Sequence, residues 1–447
     1  MSAVLPPDVV PPLSDWSSCD ARQREALLCR PAQAEDAGVR TAARAIIDAV
    51  RRDGDAALER FTREFDGVSL RALEVDEVEF AAAERALDAA ARDAMGVAIA
   101  NVRRFHEAQE LPRLDIETLP GVRCERLVVP IRAVGLYVPA GVAPLPSTAI
   151  MLAVPAQIAG CPVRVLATPP RADGNADPAV LHVARRCGVQ RVFKLGGAQA
   201  IAALAYGTSS VPRVDKIFGP GSARVNVAKQ IVATDPLGAA IDLPAGPSEV
   251  LVIADERARP DFVAADLLAQ AEHSPDAQAM LVSDSRTLIE RVRTEIAQQL
   301  ATLSRAAIAQ RSISTSRFVL VRDLDTAFEV SNAYAPEHLI LQVSDARTHL
   351  QQVQAAGSVF VGPWSPEPIG DYCSGTNHVL PTNGAARAWS GLSLLDFTRR
   401  ITVQELSSDG LRHLGPVASR LAALEGLDGH ARAVDLRLSA LGARGGS

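Results

Sequence analysis

Lysine is nearly absent from this chain. Of 46 basic residues only Lys194, Lys216 and Lys229 are not arginine, and no basic run or stripe makes a nucleic-acid footprint. Long apolar runs are missing too. The stretch from Ala149 to Ile158 is broken by Pro155 and Gln157, well short of the roughly 20 residues of a membrane span. Six cysteines (Cys19, Cys29, Cys124, Cys161, Cys187, Cys373) include no C-x-x-C pair, which excludes a disulfide framework and a thiolate zinc cluster. They read as mostly buried small hydrophobes. The opening MSAVLPPDVVPPLSDW has neither a basic leader nor an uninterrupted apolar core, so a cytoplasmic location is expected. What remains is 447 residues, 48% hydrophobic and 22% charged with formal charge -6, enough for two or three globular packing units.

Residues 1–33 are proline-rich and then polar, and helical patterning follows from Glu35 to Phe65 and from Asp76 to Gln109. From Leu127 short β-branched runs alternate with helical lengths: VVPIRAVGLYVP, an apolar helix from Ser147 to Ile158, VRVLATPP, then RVFKLGG and KIFGPG, each followed by a helix. A second such series runs from ADERARPDF to SVFVG and includes a helix over ARTHLQQVQAAG. Repeated strand-then-helix units predict parallel sheets covered on both faces. The stretch from Pro363 to Gly391 shows no regular element, and a loop of that length inside a domain is usually functional. Val417 to Leu438 reads as helix again.

Several places carry residues with chemistry. KLGGAQAIAALAYG and KIFGPGSARVNVAK put glycines between strand and helix, where backbone N–H groups and the positive helix end suit an anion. Neither contains G-x-G-x-x-G, and tight βα turns explain the glycines equally well. Tyr137, followed by Pro139, Gly141, Pro144 and Pro146, marks a rigid turn at a strand end. Gln270 and His273 lie three apart at a helix end that Pro275 must terminate, so both share one face. A dipole-answering His is the plainer reading there. In YAPEHLI, Glu337 and His338 on a turn before an apolar strand suit a general acid–base pair or, equally, a surface carboxylate and a capping His. Asp371 and His378 in the long loop, with Gln270, His273 and His430, form a hard N/O set suited to zinc but without diagnostic spacing. His106, His182, His349 and His413 read as structural.

Together GLYVPAG, KLGGAQAIAALAYGT, VDKIFGPG, IDLPAGPSEVLVIAD, DLLAQAEHSPDAQ, APEHL and GDYCSGTNHVLPT resemble the histidinol dehydrogenase family, in order and across most of the chain. The resemblance implies zinc- and NAD-dependent oxidation of L-histidinol to L-histidine through the aldehyde, with two NAD reduced and one Zn2+ per subunit. It implies Gln270, His273, Asp371 and His430 as zinc ligands, His430 reaching the metal of the partner subunit of a homodimer. Glu337 is implied as the group that activates water and His338 as the one that takes and returns protons. Ser248, His378 and Glu425 match substrate contacts, alongside the zinc ligands and His338. Tyr137 and Gln199 match cofactor contacts. Where the family has Asn after GPG this chain has Ser222, whose shorter side chain loses the amide's reach. Cys373 reads as a filler of its loop.

The implied fold class is α/β: two Rossmann-like, incomplete parallel-sheet domains without G-x-G-x-x-G, an N-terminal helical arm and a small C-terminal helical segment. The expected boundaries are an arm over 1–33, a larger domain over 34–136 and 248–392 carrying zinc and acid–base residues, an inserted cofactor-side domain over 137–247, and a segment over 393–447 reaching the partner subunit. No nucleic acid and no membrane are expected as partners. Two other readings keep the scaffold: a paralogous zinc/NAD dehydrogenase for another small alcohol or sulfonated diol, and a catalytically silent binding protein.

Overall fold

The computed structural model describes residues 10–30, 37–140, 144–243 and 246–444. The prolines before residue 10, Gly141 of the Tyr137 turn, Pro244 and Ala245 of IDLPAGPSEV and the last three residues lie outside them. Contacts divide the chain into two units, Met1–Ala108 with Ile131–Phe397 and Gln109–Pro130 with Thr398–Ser447.

The first unit contains two parallel sheets. One has six strands in the order Leu13–Asp15, Arg317–Leu320, Gln278–Ser283, Glu249–Ala254, His338–Gln342 and Ser358–Val361. The other has five, in the order Arg191–Lys194, Val163–Thr168, Ala133–Tyr137, Lys216–Phe218 and Ala240–Ile241. Central strands such as EVLVIA and HLILQ are buried at every residue, the pattern of strands covered by helices on both faces. Because His338 pairs with Val250 and Ser358, Glu337 and Glu249 become neighbours at the amino edge of the six-stranded sheet. The helices Pro260–Ala271 and Leu324–Tyr334 run back against their strands and end at that same edge. The apolar segment expected as helix is Pro146–Ile158, buried over most of its length.

The second unit is a three-stranded antiparallel sheet, ordered Thr398–Leu406, Val122–Pro130, Leu114–Leu119, with the helices Ser408–Leu424 and Asp428–Arg444 packed on one another. Sequence reading does not foresee this sheet. Its strands are largely exposed and mix charge with apolar residues, so they lack the buried-strand signature. The C-terminal segment is therefore a strand followed by helices, not helix alone.

Other local expectations are also corrected. ARTHLQQVQAAG forms only a 3-10 turn over Ala346–Gln352, entered through Asp345 at φ 50 without a side-chain cap. Within the stretch expected to lack regular structure, Glu367–Tyr372 is a short helix started after Pro366. The helix Ala306–Ser314 was not anticipated. All six cysteines are free, but only Cys161 and Cys187 are buried and Cys29 is exposed. Among the described residues no helix is long and apolar enough to cross a membrane.

Candidate active site

The helix Leu324–Tyr334 ends at Ala335, which takes the left-handed conformation (φ 54) that a non-glycine residue rarely adopts. That turn delivers Glu337 and His338, both buried, to the start of a central strand. Neighbouring residues on a strand point to opposite faces. Here Glu337 still precedes the strand, and its Oε2 lies 3.6 Å from His338 Nδ1. Glu337 Oε2 accepts the N–H of Glu249 at 2.8 Å. His338 Nδ1 is 3.0 Å from the Glu249 carbonyl. A carbonyl only accepts, so Nδ1 carries the proton and Nε2 is the basic nitrogen. Among the described residues Nε2 has no hydrogen-bond partner, and it points toward Asp371 (3.5 Å) and Glu367 (4.0 Å).

A second group forms around those carboxylates. Ligand atoms of His273, Glu367 and Asp371 all lie within 4.8 Å of one another. His273 follows the helix Pro260–Ala271, while Glu367 and Asp371 lie one turn apart on Glu367–Tyr372. Gly370 allows that helix to approach, since a Cβ there would lie 2.5 Å from the Phe360 ring. Among the described residues, neither amide atom of fully buried Gln270 is hydrogen-bonded, and both oxygens of buried Glu367 are equally unpartnered. Buried polar atoms without partners are rare and costly.

The charges agree with that picture. Burial pushes Glu337 and Glu367 up to about 8. Without a cation among them, Glu337, Asp371 and Glu367 outweigh the burial that opposes its charge and push His338 up to about 10; a divalent cation held by those carboxylates would offset their pull and leave Nε2 free to accept a proton. Asp371, despite burial, is held below the usual carboxylate range by His338, His378 and His273. Buried carboxylates with unsatisfied oxygens beside neutral amide and imidazole donors fit a divalent cation of zinc's ligand preference. Glu367 is the residue that sequence reading missed; its only signal was the spacing of four from Asp371, hidden by Pro366 and Gly370. His430 and Glu425, expected at the same centre, belong to the second unit, where both are exposed.

The cofactor-side residues lie at the carboxyl edge of the five-stranded sheet. Tyr137 ends a strand, is buried, and its hydroxyl accepts the N–H of Gly197 at 3.1 Å. Gln199 is buried with Oε1 unpartnered. Ser222 is exposed at the start of Ala223–Thr234 and makes no capping bond. The helices after the strands ending at Tyr137, Lys194 and Phe218 all begin without a side-chain cap, whereas Asp177 caps the remaining one, Pro178–Arg186. Uncapped starts leave N–H groups free for an anion.

The GPG turn is braced from below. Gly219 (φ 122) donates to Asp242 Oδ2 at 2.7 Å and accepts from Lys229 Nζ at 2.7 Å, and Lys229 pairs with Asp242 at 2.5 Å, all buried. A cavity of about 50 Å³ joins this turn to Ser248, Glu337 and His378. His378 Nε2 is buried and unpartnered. Cys373 is half-buried against the apolar core, as a filler would be. Of the histidines read as structural, His106 bonds the Val102 carbonyl at 2.8 Å and His182 meets Glu84 at 2.8 Å.

Comparison with known proteins gives a consistent result. A family model described as histidinol dehydrogenase matches residues 29–438. A histidinol dehydrogenase of Xanthomonas axonopodis pv. citri is 58% identical over 424 residues, covering 95% of this chain and 98% of the relative. One from Shigella dysenteriae serotype 1 is 51% identical over 427 residues, covering 96% and 98%. The crystal structure of histidinol dehydrogenase from Elizabethkingia anophelis superposes with TM-score 0.91 at 41% identity, covering 95% of this chain and 97% of that one.

Proposed function

The chain belongs to the histidinol dehydrogenase family, and from that premise we propose that Glu337 and His338 do the proton work of its reaction. The reaction oxidises L-histidinol to L-histidine through histidinaldehyde, consumes one water and passes two hydrides to two NAD. The observation that carries the assignment is the pair itself: a buried carboxylate and an imidazole 3.6 Å apart, with the imidazole's free nitrogen facing the carboxylate cluster.

His273, Asp371, Gln270 and Glu367 are the residues of this subunit placed to hold zinc, which when bound orients the substrate's imidazole and amine. His338 Nε2 takes the hydroxyl proton as the first hydride leaves the carbinol carbon. Glu337 then accepts a proton from the water that adds to the aldehyde while His338 returns its proton to the carbonyl oxygen, and the freed His338 takes the hydrate's proton as the second hydride leaves. Ser248 and His378, on the shared cavity wall, contact the substrate. Tyr137, Gln199 and the backbone around Ser222 hold the cofactor, so 137–247 acts as the cofactor-side insertion between 34–136 and 248–392. The protein works in the cytoplasm.

The site is completed by a second copy. Leu421, Leu424, Leu427 and Leu436 are 40 to 68% exposed on the C-terminal helices and their junction, an apolar surface that supports burial against another chain. Glu425 and His430 of the partner subunit then reach the substrate and zinc. Mixing Asp371→Asn with His430→Ala chains tests this: hybrid dimers regain one working site if His430 acts across the dimer, and none if it acts within its own chain. The test of the activity is NADH formed per histidine from L-histidinol, with and without a chelator. Two per histidine, abolished by chelation and restored by zinc, is expected; bound zinc without histidinol turnover would overturn the reading.

A further inference from the structure

Arg30 lies far from the cavity in sequence and is not among its lining residues. Its guanidinium nevertheless makes a largely buried fork. Nε and Nη2 donate to the two carboxylate oxygens of Glu249 at 2.5 and 2.7 Å. Nη2 also donates to the carbonyls of Tyr334 at 2.9 Å and Ala335 at 3.4 Å, and the guanidinium carbon stands 3.9 Å from the centre of the Tyr334 ring. Glu249 Oε1 additionally accepts the N–H of Asn383 at 2.8 Å.

Each partner leads directly to the acid–base pair. The main chain of Glu249 donates to Glu337 and accepts from His338, so the residue that Arg30 grips is the one that aims both groups. Tyr334 ends its helix and Ala335 takes the left-handed conformation (φ 54), with only Pro336 between that turn and Glu337. A planar, five-donor side chain can hold a carboxylate and two carbonyls at once; a lysine cannot. A buried ion pair adds little net stability over an apolar pair of similar volume, so fold stability alone does not account for this arrangement.

We infer that Arg30 and Glu249 are positioning residues: Arg30, from the N-terminal arm, locks the Glu249 main chain and the Ala335 turn together, and so fixes the placement of Glu337 and the Nδ1–H tautomer of His338. The inference rests on the functional reading above. Neither residue touches substrate, so the loss on substitution falls on kcat and leaves KM.

The experiment compares zinc-loaded wild type with Arg30→Ala, Arg30→Lys and Glu249→Gln for kcat, KM for histidinol and NAD, bound zinc, thermal midpoint and rescue by added guanidinium. Arg30→Ala is expected to lose about 10²-fold in kcat, the scale of a misplacement near 1 Å, with KM and zinc close to wild type. Guanidinium should restore part of that loss, Arg30→Lys should fall between, and Glu249→Gln should lose activity without rescue. If Arg30→Ala fails to fold, Arg30→Lys decides: kcat equal to wild type overturns the clamp. Loss that tracks zinc or folded protein, without rescue, also overturns it. A wild type that makes no histidine sinks the functional reading and the clamp with it, whereas an active wild type matched by Arg30→Ala sinks the clamp alone.

Discussion

The two parallel sheets of the first unit present opposite edges to the cavity between them. At the carboxyl edge of the five-stranded sheet, helices begin, uncapped, after Tyr137, Lys194 and Phe218. At the amino edge of the six-stranded sheet, helices end, at Ala271 and Tyr334. Helix starts carry about +0.5 of an elementary charge and helix ends about -0.5. The same βα unit therefore builds an anion cradle at one edge and a cation cradle at the other. Side chains follow the same division. Tyr137, Gln199 and Ser222 are neutral, while Glu337, Glu367, Asp371 and three imidazoles crowd the opposite wall. On the function proposed above, phosphate and nicotinamide belong to the first edge, metal and proton transfer to the second.

If the edges divide the work in this way, each can be disabled without the other. Asp371→Asn removes a charge from the cation cradle alone. Histidinol oxidation should fall by at least about 10²-fold, the scale at which even supporting groups of metal sites matter, and bound zinc should drop. NADH binding, read by fluorescence titration, should stay at the wild-type value. Loss of NADH binding in that variant would mean that the two edges do not act separately.

Lys229→Met attacks the other edge. It leaves Asp242 buried without its cation and removes the brace on the Gly219 carbonyl. Removing one partner of a buried pair costs about 3–5 kcal/mol, so a lower thermal midpoint and weaker NADH binding are expected. Zinc per chain should be unchanged. A variant that binds NADH normally would show that the GPG turn holds its shape without the ion pair.

Ser222→Asn is a gentler probe of the same turn. Restoring the longer amide adds at most one hydrogen bond, about 0.5–1.5 kcal/mol, which corresponds to about 2- to 10-fold tighter NAD binding by titration, with kcat unaffected. No gain would mean that the free N–H groups of the helix start already supply the contact.

How much of this division was legible in the chain depended on burial and sequence distance. EVLVIA and HLILQ announce covered parallel strands because every residue is apolar or flanked by apolar neighbours. TRRITVQEL does not, since it is exposed on both faces and pairs with Val122–Pro130 far upstream. The motifs around Gln270, Glu337 and Asp371 singled out candidate side chains, but spacing alone left each pair ambiguous. Geometry brought His273, Asp371 and His338 together and added Glu367, whose six-residue helix is too short for periodicity to reveal. Arg30 was invisible for another reason: its partner Glu249 lies 219 residues away, and no local pattern encodes that contact.

The smallest expected effect concerns how each region treats a buried charge. Lys229 and Asp242 satisfy one another, whereas Asp266, on the helix that carries Gln270, is buried with a single donor among the described residues, Gln342 Nε2 at 3.0 Å. Burial pushes Asp266 up to about 6, against about 3.9 in an unfolded chain. Between those values the folded protein holds a proton that the unfolded chain has released, so stability falls as pH rises through the window and stays lower above it. Asp266→Asn keeps an acceptor for Gln342 and removes the ionisation. The variant should melt above wild type at pH 8, and the gain should shrink steadily toward pH 5. A gain independent of pH would place the effect in packing, and no gain at pH 8 would mean that the carboxylate is better solvated than its single hydrogen bond implies.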